Sequence, residues 1–518
     1  MEEFKENLFS WYNFKAGANI LDFGNNISKY IKNQNIDIEP KASQKYDYVI
    51  LVGVLEKANK EENLRKAVSY LKEDGKLLIA ENNKFGIKNW NGKRDLTGSL
   101  DYREITRTYN SNEAGLLSKN EIKQLLLKEN IKNYKFYYLF PDYNLPNLIV
   151  TDEYTLTEED ISRNFESYEE GELVNFNENL ALTEIVKEDP EQVKFFVNSF
   201  LIEASKKEIE TNIKYISFTN YRKKEYRIST ILTDNYAIKK SASIDADKHI
   251  QNISENLKSF PRENVRVLET LENEKLKSEF IKNVSRLDLE FQKISDYSTF
   301  LTEFNKYKKN LYQNLIEYEE IQDKLLYIFK TYNYPKNLSK MKFQKYSFID
   351  MLPKNCFKVN DEYLFFDQEW CENYYPVEYI IYRAIKNTAG ISERFGEDRI
   401  FKDLEIDEYI DLFEKLEENF RKKVIDDKML YDVFNKKTIT REAMIADFTR
   451  KIIDRDVEIE KLKTDIEGRK AHVNELLNVI SEKENQIVSI SNSLSWRITK
   501  PLRDVSGKLH EFKNKKIK

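Results

Sequence analysis

Residues 347–370 read SFIDMLPKNCFKVNDEYLFFDQEW and hold three side chains whose types and order fit one chemistry. Asp350 and Asn355 lie at D-x-x-x-x-N spacing on a loop, and Asp367 stands at the exit of the hairpin that follows. Phosphoryl transfer needs a carboxylate to orient the attacking hydroxyl, and an oxygen ligand with a second carboxylate to hold magnesium on the phosphates. Loop, hairpin and exit can supply all three. A second constellation starts at ILDFGNN, residues 20–26. A glycine turn after the first strand of a parallel sheet lets backbone amides approach a nucleotide-like ligand, and an acid on the next strand takes the ribose hydroxyls. Gly24 opens such a turn, Asn26 and Ser28 occupy the places of further glycines, and Asp37 and Glu39 are the candidates for the acid.

The elements that must position these residues are legible as short apolar runs. Asn19 to Phe23 and Tyr46 to Val54 have strand length, and Leu77 to Ala80 follows a turn at Glu73-Asp74-Gly75. Between the last two, Leu64, Ala67, Val68 and Leu71 form one face of a helix, which predicts a βαβ unit with a largely buried parallel sheet. Ser118 and Glu121 stand at capping-box spacing before a helix reaching Glu129, and Lys135 to Val150 predicts a strand pair broken at Pro141-Asp142-Tyr143. Residues 153–190 are acidic and irregular, as in a linker. Two strands then flank the Thr233-Asp234 turn, helix dominates to about residue 435, and Cys356 to Val359 pairs with Tyr363 to Phe366 about Asn360-Asp361.

Residues 17–152 resemble class I S-adenosylmethionine-dependent methyltransferases, on ILDFGNN, YDYVILVGVLEKA, KEDGKLLIAENNKFGIKNW and YYLFPDYNLPNLIV. The resemblance implies Asp22 and Gly24 at the strand end and turn, with Glu56 and Asn82 lining the cofactor crevice. Two alternatives stand: a shortened site that binds S-adenosylmethionine, or a domain kept for packing and assembly. The order of Asp350, Asn355, hairpin and Asp367 resembles the protein kinase fold. It implies ATP and magnesium as cofactors, with Asp350 the catalytic Asp and Asn355 and Asp367 the metal ligands. In NYAIKKSA, Ile238-Lys239 resembles V-A-I-K and implies that Lys239 pairs the α and β phosphates; Lys240, on the opposite face, stays an alternative. The departures are Phe348 and Ile349 in place of H-R, Gln368-Glu369 in place of F-G, and no glycine in SFTNYRKKEYRIST.

Beyond these, every seventh residue from Ile452 to Leu494 is aliphatic, which predicts a parallel coiled coil of two strands, or three given the polar residues at d positions. From Arg497 onward eight basic residues face two acidic ones, and Leu494, Ile498, Leu502, Val505, Leu509 and Phe512 recur at helical spacing beside Trp496. Such a basic amphipathic helix suits an anionic membrane surface. Without aromatic interleaving it does not suit nucleic acid. The net charge of −5 gives no global attraction to nucleic acid or lipid. Two cysteines and three histidines build neither a disulfide framework nor a zinc cluster, and no apolar run spans a bilayer. The acidic amino end is unlike a secretory signal, so a cytoplasmic location is expected.

The string SNSLSWRITKPLR resembles the tails of bacterial surface-polysaccharide glycosyltransferases and their associated methyltransferases. The fold class expected is a shortened α/β methyltransferase-like Rossmann domain (1–152), an acidic linker (153–190), an α+β kinase-like domain (191–440), a coiled-coil helix (441–494) and a basic tail (495–518). That order resembles the bifunctional methyltransferase-kinases that cap bacterial O-antigen chains. The resemblance implies a glycan or polysaccharide acceptor, a glycosyltransferase partner, a homo-oligomer, and a place at the inner face of the plasma membrane. A non-catalytic scaffold that tethers a glycosyltransferase complex is the alternative from another class.

Overall fold

Three apolar runs of the amino-terminal part and the short segment Asn-Ile-Asp become parallel strands. These are Asn19–Asp22 (β1), Asn35–Asp37 (β2), Tyr46–Val52 (β3) and Leu71–Asn82 (β4), in the spatial order β2-β1-β3-β4. β3 is covered on both faces, which is why YDYVILV shows no polar alternation. Helix Lys60–Tyr70 (α1) makes the crossover and buries Leu64 and Ala67. Glu73-Asp74-Gly75 is not a turn ahead of β4. Tyr46 faces Leu71 while Tyr48 faces Lys76, so residues 72–75 loop out within one long strand. Between Gly24 and Tyr46 the chain holds only β2 and a single helical turn at Ser28–Tyr30 among the described residues. Helix Lys119–Lys128 (α2) begins with the expected capping box of Ser118 and Glu121. Asn133–Phe140 (β5) and Leu148–Thr151 (β6) form the expected antiparallel pair.

The computed structural model describes residues 4–31, 35–98, 102–110, 112–165, 173–272, 275–281, 283–328, 338–434 and 439–514. It divides into Met1–Thr438 and Ile439–Lys518. Within the first unit two expected boundaries are corrected. The stretch 153–190 holds a short helix, Glu158–Ser162, and Glu178–Glu188 (α3), whose Ile161, Leu182 and Val186 join the core. Its acids sit where helices accept them: Glu158, Glu159 and Asp160 fill a first turn, and Asp189 caps Pro190–Phe196 (α4). The methyltransferase-like half does not end at 152 either. Ser199–Ser205 (β7), buried along its whole length, inserts antiparallel between β4 and β5. A run that closes one sheet from a later part of the chain carries no local mark of its distant partners.

The sheet then continues into the kinase-like half. Tyr215–Phe218 (β8) pairs with β6, and Ile228–Leu232 (β9), Tyr236–Ser241 (β10), Glu269–Glu272 and Lys275–Glu279 extend it to twelve strands. Helix Asp247–Leu257 (α5) packs through Ile250 and Ile253 onto Ile228 of β9 and Leu276. The remainder is mostly helical. Tyr297–Lys309 (α6), Val377–Lys386 (α7) and Ile410–Val424 (α8) enclose a core of Phe300, Phe304, Tyr307, Tyr379, Ile380 and Phe413. Against it lies the hairpin Cys356–Val359 with Glu362–Phe365, whose turn holds Asn360 at φ 55°.

The second unit is Arg441–Asn492 (α9), capped by Thr440, then a short helix capped by Ser493 and Lys500–Asn514 (α10). Ile452, Ile459, Ile466, Val473, Ile480 and Ile487 are all exposed along α9, an aliphatic stripe with no cover in a single chain. Arg503 lies over the Trp496 ring at 3.6 Å. Among the described residues no helix is long and apolar enough to cross a membrane. Lys515, Lys516 and Lys518 lie outside the described residues.

Candidate phosphotransfer site and the methyltransferase-like crevice

Strand alternation decides between the two lysines. Lys239 turns its ammonium to the Asp367 carboxylate and to Glu269 Oε1 at 3.3 Å. Burial opposes its charge, but Asp367, Glu269 and Glu369 hold its pKa above the ordinary lysine value. Lys240 lies on the other face, where burial and then the neighbouring Lys275 pull its pKa down to about 8. Lys239 is therefore the lysine that reaches Asp367. Glu269 was not singled out by the sequence, since it stands in LETLENEKLKSE among other acids. Its carboxylate accepts the backbone N–H of Asp367 at 3.0 Å and of Gln368 at 3.1 Å, fixing lysine and hairpin exit together.

Asp350 is held from two sides: Trp370 N–H donates to Oδ2 and Arg383, on α7, to Oδ1, each at 3.3 Å. Burial pushes its carboxyl up to about 6, against the pull of Arg383 and with Asp367 and Glu369 adding to the rise. Asn355 donates its amide nitrogen to the Asp350 carbonyl at 3.1 Å, so Oδ1 is the atom that could serve a metal. The Asn355 carbonyl takes the Phe366 N–H at 3.0 Å, pinning the loop to the exit strand. Asp367 sits at φ 58°, a left-handed conformation unusual for a side chain with a Cβ, and its side chain is 44% exposed. Asn355 thus links the Asp350 loop to the strand that leads into Asp367, and Asp367 in turn pairs with Lys239. An all-oxygen donor set with an accessible carboxylate fits magnesium, which takes one or two protein carboxylates and completes its shell on phosphates.

Two residues beyond Asp367, Glu369 binds Arg222 and takes His249 Nε2 at 2.7 Å. Burial works against its charge, but Arg222 first, with His249 and Lys239, holds its pKa down to about 2. Arg222 belongs to the glycine-free β8–β9 loop, and its guanidinium lies over Trp370 at 5.6 Å. The same loop is tied to the end of α8: Lys223 N–H donates to the Val424 carbonyl at 2.9 Å, and Asp426 N–H to the Tyr221 carbonyl at 3.0 Å. Side-chain anchors hold this loop where a kinase uses glycines. No spacing in the sequence joins positions 222, 249 and 369.

The methyltransferase-like residues are placed differently. Asp22 is fully buried at the end of β1, and its Oδ2 caps the turn by accepting Ile27 N–H at 2.9 Å and Ser28 N–H at 2.8 Å. Gly24 has φ 137°, and a Cβ there would approach Val54 Cγ2 to 2.9 Å, so the turn requires glycine. Asn26 donates to the Val52 carbonyl at 2.6 Å. Glu56 and Asn82 do converge at the ends of β3 and β4, but on each other. Glu56 Oε1 accepts the Asn82 backbone N–H at 2.7 Å and its side-chain amide at 2.9 Å. Asn82 Oδ1 in turn accepts Lys88 at 2.5 Å and Ser199 at 3.0 Å. Burial raises Glu56 and lowers Lys88 from their ordinary pKa values. Asp37 ends β2 as expected, with its carboxylate on Lys41 at 2.6 Å and the Tyr46 hydroxyl at 3.0 Å.

No family model matches the chain, and no curated protein matches it. Among solved structures, a SAM-dependent methyltransferase described as a possible histamine N-methyltransferase, from Thermotoga maritima, is similar. It is 12% identical over 40% of this chain and 89% of that one, with a TM-score of 0.23. The plantazolicin methyltransferase BpumL in complex with SAH is 16% identical over 39% and 83%, with a TM-score of 0.20. The streptomycin-ATP-APH(2")-IIa ternary complex is 13% identical over 32% and 69%, with a TM-score of 0.21. Likenesses at these scores decide nothing about either site. What the chain itself shows is a mostly parallel amino-terminal sheet with β7 inserted antiparallel, and a hairpin exit that pairs Asp367 with Lys239 of β10.

Proposed function

We propose that this protein is a magnesium- and ATP-dependent phosphotransferase acting on a hydroxyl of a bacterial surface glycan. The observation that carries this is the linkage of Asp350, Asn355, Asp367 and Lys239. Lys239, kept charged by its acidic neighbours, would pair the phosphates. Asn355 Oδ1 and the Asp367 carboxylate would hold magnesium, and the Asp350 carboxylate would take the proton of the acceptor hydroxyl. Magnesium, when bound, neutralises the charge developing on the transferred phosphoryl group. For the methyltransferase-like half a scaffold role is the second reading, favoured by Glu56 and Asn82 being bound to each other and Asp37 to Lys41. Titration calorimetry on the full chain is expected to show saturable heat with Mg-ATP and none with S-adenosylmethionine. A folded sample giving heat with neither leaves only the scaffold.

The glycan acceptor and the glycosyltransferase partner rest on the SNSLSWRITKPLR tail. The aliphatic stripe of α9 would be covered by a second copy of the chain, forming a spacer of about 78 Å from 52 residues at ~1.5 Å each. The basic face of α10 would then dock on the inner leaflet of the plasma membrane. Flotation with anionic vesicles is expected to retain the wild-type chain and to lose the variant carrying Trp496→Ala and Leu502→Asp. Equal flotation of the two removes the membrane proposal.

A further inference from the structure

A cavity of about 400 Å³ opens on one face of the methyltransferase-like half, between α2 and α4 and over β5 and β7. It belongs to neither constellation described above. One wall is aromatic: Phe85 and Phe195 stack nearly parallel, 16° apart with centroids at 5.3 Å, and Phe195 remains 50% exposed. The lining also carries three ammonium groups, from Lys119 and Lys123 on α2 and Lys194 on α4. Two of them are matched by carboxylates. Lys194 meets Glu191 at 2.8 Å, and Lys119 lies 3.6 Å from Asp152, which also accepts the Tyr138 hydroxyl. Lys123 differs. Among the described residues no carboxylate comes within ion-pair distance of it, and its contacts are the rings of Tyr134 and Phe136, each at 5.7 Å. The lining therefore holds one positive charge more than its own acids neutralise, together with an exposed aromatic surface.

We infer that this cavity is a binding site for an anionic ring compound, one that lays a flat face on Phe195 and places a phosphate or carboxylate at Lys123. Its volume lies in the range of small-molecule sites, roughly 300–1,000 Å³, and the combination of an apolar wall with a few convergent polar groups is the form such sites take. Lysine binds an anion as a point charge, so Lys123 selects for charge and not for one oxyanion geometry. The aromatic wall selects for a ring. An acidic sugar residue of a glycan and a nucleotide share this chemistry. The inference stands apart from phosphotransfer, since none of these residues belongs to the Asp350 and Lys239 site.

The test is calorimetric titration of the full chain with glucuronate, glucose 6-phosphate and UMP, with glucose and inorganic phosphate as controls. At least one ring anion is expected to bind with a Kd below about 1 mM, and glucose and phosphate each at least tenfold more weakly. K123E and F195A, both at accessible positions, are each expected to weaken that binding at least tenfold. A nucleotide taken up at Asp367 would be indifferent to both substitutions, so failure here and failure of the phosphotransfer reading are distinct. Tighter binding of the sugar acids assigns the site to a glycan, and tighter binding of UMP to a nucleotide. No saturable binding by any ring anion overturns the inference. So does phosphate binding as tightly as the best of them, or binding that either variant leaves within tenfold.

Discussion

Asp350→Asn is expected to lower the phosphotransfer rate by roughly 10²–10⁴-fold, the usual contribution of a positioned general base. Mg-ATP binding should persist, because in the proposed site Asp350 would face the acceptor and the metal oxygens would come from Asn355 and Asp367. The wild-type rate should rise with pH through about 6, since burial places the Asp350 carboxyl there and only the carboxylate can take the hydroxyl proton. In the variant that limb should vanish from the residual rate. Steady-state rates between pH 5 and 8 check both parts. If the Asp350→Asn variant keeps its rate within threefold, or keeps its limb at pH 6, Asp350 is removed from the role of base.

Glu369→Gln is expected to cost about 3–5 kcal/mol of stability, the usual effect of removing one partner from a buried ion pair. Arg222 and His249 would both lose their carboxylate, and with it the β8–β9 loop and α5 would lose their common anchor beside Asp367. The sign of the pH dependence follows from the same carboxylate. Its pKa is depressed to about 2 in the folded chain against an ordinary 4.5, so its stabilisation is complete above 4.5 and is lost as pH falls from there toward 2. Urea unfolding followed in the first unit at pH 7 and pH 4 should show the variant weaker at both, with the gap narrowing in acid. A loss under about 1 kcal/mol at pH 7 would mean that Glu369 does not hold this region together.

How much was legible depended on how local each cause was. The βαβ order, the capping box at Ser118, the strand pair broken near Pro141 and the hairpins at 233 and 360 each follow from residues within one or two turns of each other. The spacing of Asp350, Asn355 and Asp367 was legible for the same reason, because a loop and a two-residue turn separate them, whereas the contacts from Glu269 and Arg383 that hold Asp367 and Asp350 come from distant parts of the chain. The acids of 153–190 misled because charge alone cannot tell a solvated linker from the first turns of capped helices. The looped-out residues 72–75 misled because a glycine after two acids is also what a turn looks like.

By itself the sequence determined the alternation of apolar and polar residues, and through it the elements, their caps and the spacing of the hairpin site. Tertiary structure decided the rest. It turned Lys239 and not Lys240 toward Asp367, brought Glu269 beside them, inserted β7 between β4 and β5, joined two halves into one sheet, and closed Glu56 onto Asn82. The physical reason is shared. Each of these outcomes is a pairing between positions far apart in the chain, fixed by which backbone edges and buried charges remain unsatisfied once the local elements have formed.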